Sequence, residues 1–99
     1  MLNINKTAEG SALTIALEGR LDTTTAPELE GSWKDASSGV TELTIDLKAL
    51  DYISSAGLRV LLSMQKVMNK QGKMTVKHVN ETIMEIFEVT GFSDILTIE

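Results

Sequence analysis

Hydrophobic and polar residues alternate in short stretches that are separated by turns. Leu13, Ile15 and Leu17 are separated by smaller or more polar residues, and this period of two is typical of a strand with one buried face. A turn at residues 9–11 joins this stretch to the preceding one, which predicts a β-hairpin. The predicted strands are residues 2–7, 13–17, 43–47, 74–78 and, at the end of the chain, 95–98. The residues after the third strand, as far as Ile53, are predicted to form a loop.

The first predicted helix starts near Thr25. Thr25 and Glu28 have the spacing of a capping box, and Pro27 lies in the first turn, where its missing N–H has no cost. Apolar residues recur on one face as far as Ala36, and the Ser-Ser-Gly sequence at 37–39 ends the helix.

Two further helices are predicted by the same kind of spacing. The second begins at the two serines of positions 54–55 and ends at Gly72. The third is capped by Asn80 and ends at Gly91, a residue that suits the left-handed position just beyond a helix. The polar stripe of the second helix consists of Arg59, Ser63, Lys66 and Lys70.

The predicted order of elements is β-β-α-β-α-β-α-β. Strands that are joined through one helix lie parallel, with a right-handed crossover. The sequence therefore predicts an α/β fold, with a mixed, mostly parallel sheet of about five strands packed with helices.

Composition narrows the classes of partner. The 99 residues include nine basic and fourteen acidic side chains, a net charge of −5, and the basic residues are scattered. Nucleic acid and anionic membranes are therefore not expected as partners, whereas a protein with a basic surface fits. Cysteine is absent, which excludes disulfides and thiolate metal sites. The chain starts without a signal-peptide pattern and has no apolar run of membrane-spanning length, so we expect a cytoplasmic protein.

The candidate chemistry lies at the start of the second helix. The first N–H groups of a helix have no partner within the helix, and the helix dipole places partial positive charge there. Ser54 and Ser55 therefore occupy a position that favours a hydroxyl, carboxylate or phosphate oxygen. Simple capping by serine is the alternative interpretation of both residues.

Two blocks of sequence resemble a known family. Asp46-Leu47 followed by residues 52–58, Tyr-Ile-Ser-Ser-Ala-Gly-Leu, is similar to the signature of the STAS domain. This module is shared by sulphate transporters and bacterial anti-sigma factor antagonists. Residues 19–22, Gly-Arg-Leu-Asp, with Ala26-Pro27 downstream, resemble the family's second block. The resemblance runs through the whole chain and implies one STAS domain at residues 1–99.

The resemblance implies partner switching. In that family the unphosphorylated antagonist binds an anti-sigma factor that is also a serine kinase, phosphorylation of one serine releases it, and a phosphatase resets it. The motif at this point usually reads apolar residue, Asp, Ser, Ser or Thr, Gly, Leu, which places the phosphorylated serine at Ser55. Ser54 stands where the family has Asp, and Ala56 replaces the next hydroxyl residue. The implied partner-binding residues are Arg20, Leu21, Asp22, Ser54, Ser55, Ala56, Gly57 and Arg59.

Other roles remain open for several of these positions. Gly57 allows either close approach of a partner or close packing of the helix on the sheet, and packing is favoured. Asp22 either contacts a partner or makes a side-chain turn. Asp46 either steadies the Ser55 loop, which is the favoured interpretation, or lies at a solvated strand end. His78, the sole histidine, is interpreted as a polar strand terminus.

Enzymatic readings find little support in the sequence. An α/β-hydrolase elbow needs glycine two residues before the serine, and Ile53 stands there relative to Ser55. His78 would have to act as base, and no acid is marked as its partner. No phosphate-binding glycine loop is present, so no cofactor or small-molecule substrate is expected. The sequence therefore predicts a binding protein, with a non-phosphorylated STAS interaction module in another regulatory complex as the alternative.

Overall fold

A computed structural model describes residues 2–99; Met1, the first residue of the predicted domain, lies outside the described residues. The elements in chain order are β1 (Leu2–Glu9), β2 (Ala12–Leu21), α1 (Ala26–Ala36), β3 (Glu42–Ile53), α2 (Ser55–Gln71), β4 (Lys73–Lys77), α3 (Glu81–Thr90) and a short 3₁₀ helix (Phe92–Asp94). The predicted order is thus confirmed up to α3. Gly91 takes the predicted left-handed conformation, with φ 82°.

The strands form one mixed sheet in the order β1-β2-β3-β4. Strand β1 pairs antiparallel with β2, whereas β2, β3 and β4 are parallel because a helix connects each to the next. The alternating residues of β2 and β3 fall into register, so that Leu13 lies beside Leu43 and Ile15 beside Ile45. These side chains join apolar residues of all three helices in one buried cluster, and the opposite face of the sheet stays half-exposed.

The predicted final strand is reduced to a single bridge. Ile98 pairs with Val76 in an isolated parallel bridge, and the N–H of Val76 donates to the carbonyl of Thr97 at 2.8 Å. The chain before it is still coiled, since the N–H of Leu96 donates to the carbonyl of Phe92 at 2.8 Å. The sheet formed by residues 2–99 therefore has four strands rather than about five.

The loop predicted after the third strand is wrong, because β3 continues to Ile53. Two register shifts against β2 each place an extra residue in β3. At the first shift Lys48 and Ala49 are both exposed, which breaks the alternation on which the prediction relied. Asp46 stabilises this bulge, since its Oδ1 accepts the N–H of Lys48 at 2.9 Å. Within residues 2–99 the Asp46 carboxylate bonds Lys48 and His78 and not the Ser55 loop, so its favoured role at that loop is wrong.

The capping box predicted at α1 is also absent. Thr25 lies at the cap position, but its hydroxyl makes no capping hydrogen bond; it donates to the carbonyl of Arg20 at 2.8 Å and accepts the N–H of Asp22 at 2.8 Å. Asp22 instead accepts the N–H groups of Thr24 and Thr25 at 3.0 and 3.1 Å. The side-chain turn considered for Asp22 is therefore formed, and it fixes the path from β2 into α1.

Candidate docking and phosphorylation site

The ends of β2 and β3 bring two loops together. Both strands run in the same direction, and the N–H of Ser54 donates to the carbonyl of Leu21 at 2.9 Å. The Arg20–Asp22 segment and the start of α2 therefore lie side by side at the carboxyl edge of the sheet, where loops of parallel sheets commonly bind ligands. The two sequence blocks form one surface.

Ser54 caps α2 and Ser55 is its first helical residue. The backbone of Ser54 is extended, with φ −99° and ψ 175°, and its hydroxyl oxygen accepts the N–H of Gly57 at 3.4 Å. The Ser55 side chain is exposed. The first turn of α2 contains no acidic residue, whereas the first turns of α1 and α3 contain Glu28 and Glu81. The partial positive charge at the start of α2 is thus not offset by a carboxylate in its own first turn.

Charged side chains of the neighbouring loop are held in place. The guanidinium of Arg20 lies over the ring of Tyr52, 4.4 Å from its centroid, and its Nε lies 3.7 Å from Asp22 Oδ2. The hydroxyl of Thr24 donates to Asp22 at 2.8 Å, and with the N–H groups of Thr25 and Thr24 it lowers the pKa of Asp22 to about 2. Asp22 is therefore a permanent negative charge near neutral pH.

A shallow cleft extends the surface between α1 and α2. It has a volume of about 240 Å³, and its walls include Pro27 and Glu30 of α1 and Ala56 and Arg59 of α2. Arg59 is exposed and lies four residues after Ser55, the spacing at which two side chains of a helix meet. This spacing would let the Arg59 guanidinium reach a charge on Ser55.

The structure corrects two of the predicted partner contacts. Leu21 is 0% exposed and Gly57 is buried, so neither contributes to the surface. A methyl group added to Gly57 would lie 2.7 Å from Leu21 Cγ and 3.0 Å from Ile53 Cγ1. The predicted packing role of Gly57 is thus confirmed, because glycine lets α2 approach the strand ends. Of the other predicted residues, Arg20, Ser55 and Arg59 are exposed, and Asp22, Ser54 and Ala56 are half-buried.

Two features of the region were missed in the sequence. Tyr52 lies beside Arg20 across β2 and β3, an alignment hidden by the register shifts. His78 is not a plain strand terminus, since its Nδ1 lies 3.0 Å from Asp46 Oδ1 and its backbone has φ 59°. Burial alone would raise the pKa of Asp46, but the N–H of Lys48 and the ring of His78 lower it.

A hydrolase arrangement is not formed around Ser55. Within residues 2–99, no hydrogen bond links Ser55 to His78, whose acidic neighbour is Asp46. The same residues include no group of three or more His, Cys, Asp or Glu side chains that could hold a metal ion. None of the described helices has the length and hydrophobicity needed to cross a bilayer. Ser55 is thus an exposed hydroxyl at the start of α2 with no hydrogen bond to His78.

Comparisons with known proteins agree with this architecture. Residues 4–97 match the family model described as Mlab, STAS domain. BtrV of Bordetella bronchiseptica, a candidate anti-sigma factor antagonist, is 34% identical over 88 residues, which cover 87% of this chain and 76% of BtrV. The anti-sigma-B factor antagonist of Bacillus subtilis is 26% identical over 98 residues, which cover 98% of this chain and 90% of that protein.

A solved structure with the same fold exists in two covalent states. SpoIIAA, an anti-sigma factor antagonist solved in its unphosphorylated form, superposes with a TM-score of 0.76 at 16% identity, covering 100% of this chain and 87% of that one. The phosphorylated form of SpoIIAA, from Bacillus, gives a TM-score of 0.75 at 16% identity, with 100% and 91% covered. A protein of this fold thus accommodates phosphorylation.

Proposed function

The chain belongs to the STAS domain family, and we propose that it acts as an anti-sigma factor antagonist whose binding is switched by phosphorylation of Ser55. The observation that carries the proposal is the exposed position of Ser55 as the first residue of α2, beside the Arg20–Asp22 segment. The unphosphorylated protein would bind an anti-sigma factor that also acts as the serine kinase. It would act by binding, in the cytoplasm, and a phosphatase would restore the binding form.

The docking surface consists of the accessible residues around Ser55. Arg20 and Asp22 supply charges that are held by Tyr52 and the Thr24–Thr25 turn. Ala56 and Arg59 line the adjoining cleft, and Ser54 caps α2 directly before Ser55. A partner that packs here would cover the Ser55 hydroxyl and the N-terminus of α2, where no carboxylate in the first turn offsets the partial positive charge.

Phosphorylation would change the surface and leave the fold intact. A phosphoserine adds about −1.5 to −2 charge, and a helix N-terminus favours that charge. Arg59, one turn further along α2, lies at the spacing that favours an ion pair with the phosphate. A partner packed over Ser55 would then have to desolvate a dianion, which is costly even for a well-fitting interface. Binding is therefore lost without a rearrangement of the domain.

The test uses the purified protein, its anti-sigma factor kinase and ATP. We expect mass spectrometry to locate one phosphate on Ser55, and the phosphorylated protein to bind the anti-sigma factor at least about 100-fold more weakly, a loss of about 2.7 kcal/mol. Ser55→Asp should reproduce the loss, whereas Ser55→Ala should retain binding. Ser63 is also exposed on α2, two turns away, so Ser63→Asp provides a control of equal charge.

The alternative is a STAS interaction module that is not phosphorylated and acts in another regulatory complex. The two departures from the family motif, Ser54 and Ala56, favour this alternative, because both lie next to Ser55 where a kinase would recognise the chain. Partner binding without any phosphate on Ser55 would favour the alternative. Equal binding by Ser55→Asp and Ser63→Asp would contradict the switch.

A further inference from the structure

The negative charge of the chain is concentrated at its C-terminal end. Residues 1–78 contain nine acidic and nine basic side chains, whereas residues 79–99 contain five acidic side chains and neither lysine nor arginine. The net charge of −5 therefore belongs to α3 and the segment after it. The Ser55 surface, in contrast, combines both signs of charge.

Three of these acidic side chains lie along the outer side of α3. Glu81, Glu85 and Glu88 are all exposed and recur at helical spacing. None of the three forms an ion pair within residues 2–99, although Asp22 and Glu30 do. Their charges are therefore available to a partner.

Apolar side chains flank the glutamates, with Ile86 and Val89 on one side of them and Met84 on the other. Val89 is 88% exposed, and Met84 and Ile86 are half-buried. Two shallow depressions adjoin one another here, one of about 350 Å³ around Met84 and one of about 250 Å³ beside Val89. We name this surface the α3 face; it consists of Glu81, Met84, Glu85, Ile86, Glu88 and Val89. The exposed apolar patch of Ile86 and Val89 beside charges of one sign is typical of a protein-binding surface.

We infer that the α3 face is a second docking surface, and that its occupant is a basic amphipathic helix of a partner protein. The apolar side of such a helix would cover Ile86 and Val89, while its lysines or arginines would meet the three glutamates. Like charges oppose the pairing of two α3 faces, so a second copy of this chain does not fit. The same sign disfavours nucleic acid and anionic membranes.

Binding at the α3 face should be independent of Ser55. The face lies on the outer side of α3, and the inner side is anchored by Ile83 and Phe87, both 0% exposed. None of the Ser55 surface residues belongs to α3. A protein bound here would therefore stay attached while the anti-sigma factor is released, and this inference stands even where the phosphorylation switch fails its own test.

The experiment titrates the ¹⁵N-labelled chain with a synthetic amphipathic helical peptide of leucine and lysine, followed by NMR. We expect chemical-shift changes confined to α3 and the residues beside it, and weaker affinity at higher salt. A peptide of lysine and serine with the same charge should bind at least tenfold more weakly. Shift changes spread over the sheet, or equal affinity for the two peptides, would overturn the inference.

Variants of exposed residues distinguish peptide binding at the α3 face from non-specific electrostatic attraction to an acidic protein. Glu85→Lys and Val89→Asp should each weaken binding of the leucine–lysine peptide at least tenfold while leaving the circular dichroism spectrum unchanged. Glu9→Lys places a similar charge change on exposed β1 and should have little effect. The inference fails where Glu9→Lys weakens binding as much as the α3 variants. It also fails where analytical ultracentrifugation detects a dimer that Val89→Asp dissociates.

Discussion

The starts of α2 and α3 differ in charge and in hydrogen bonding, although each follows a strand and has a side-chain cap. At α3 the Oδ1 of Asn80 accepts the N–H of Ile83 at 2.9 Å, and its Nδ2 donates to the carbonyl of Leu50 at 2.9 Å. Glu81 adds a carboxylate in the first turn. This start has both the hydrogen bonds and the negative charge that a helix N-terminus favours.

At α2 the same requirements are met less fully. The single bond from the Gly57 N–H to the Ser54 hydroxyl measures 3.4 Å, and the first turn contains no carboxylate. Packing of Gly57 on Leu21 and Ile53 holds the helix in place instead. The comparison shows that packing, rather than capping, fixes the position of α2. Because no carboxylate occupies its N-terminus, a phosphate could be added there without displacing an existing group.

The largest expected effect comes from filling the space at Gly57. Gly57→Ala places a methyl group against Leu21 and Ile53, both buried, and we expect a loss of about 1–3 kcal/mol in the free energy of unfolding. Gly31→Ala is the matched control, because nothing lies within 4 Å of its added methyl group in α1. Its expected effect is a gain of about 0.5–1 kcal/mol. Urea unfolding measures both, and a neutral Gly57→Ala would contradict the packing role.

The next largest effect is the loss of stability on removing a helix cap, and it should be larger for Asn80 than for Ser54. Asn80→Ala removes two hydrogen bonds of 2.9 Å, so we expect it to cost about 1–2 kcal/mol of stability. Ser54→Ala removes one bond of 3.4 Å and should cost about 0.5 kcal/mol. Thermal and urea unfolding compare the two variants. Equal losses would mean that the caps are equivalent and that the proposed contrast is wrong.

The sequence predicted the elements whose periodicity is regular. The alternation around Ile15 and Ile45 and the caps Ser54 and Asn80 identified the strands and helix starts, because these signals are local. The motif containing Ser55 located the site, since it lies at one strand end and one helix start.

The remaining errors concern interactions between segments. The bulges of β3 depend on its pairing with β2, and the burial of Leu21 depends on how closely Gly57 approaches it. The hydroxyl of Thr25 bonds the segment before it rather than its own helix, although its spacing to Glu28 fits a capping box. These contacts join residues of different segments, so they cannot be predicted from residue spacing within one segment.

A smaller effect on the free energy of unfolding is expected from Asp22, whose carboxylate lies near Ser55. Its pKa is about 2 in the folded chain, lower than the ordinary value of 3.8, because Thr24 and the N–H groups of Thr25 and Thr24 bond the carboxylate. The stabilisation is therefore fully present above about pH 4 and disappears as the pH falls through 2. Asp22→Asn should be less stable than the parent at pH 6, and the difference should shrink in urea titrations towards pH 2. A difference that is constant with pH would contradict this assignment.

The smallest effects on stability are expected from adding a negative charge at the start of α2 and from removing one at the start of α3. Ser55→Asp adds a carboxylate to the first turn of α2 and should stabilise the chain by about 0.3–1 kcal/mol, whereas Glu81→Gln removes one from α3 and should destabilise it by a similar amount. Both changes should diminish in high salt. Ser63→Asp lies beyond the first turn of α2 and should lack this contribution from the helix dipole.

The sign of the Ser55→Asp effect decides between two ways in which phosphorylation could act. A regulator that worked by loosening α2 would become less stable when the charge is added. Here the charge suits the helix start, so the variant that loses anti-sigma factor binding should be at least as stable as the parent. Urea unfolding and a binding titration on the same preparation test this directly. Lower stability together with lost binding would mean that the charge acts by loosening α2 rather than by changing the docking surface.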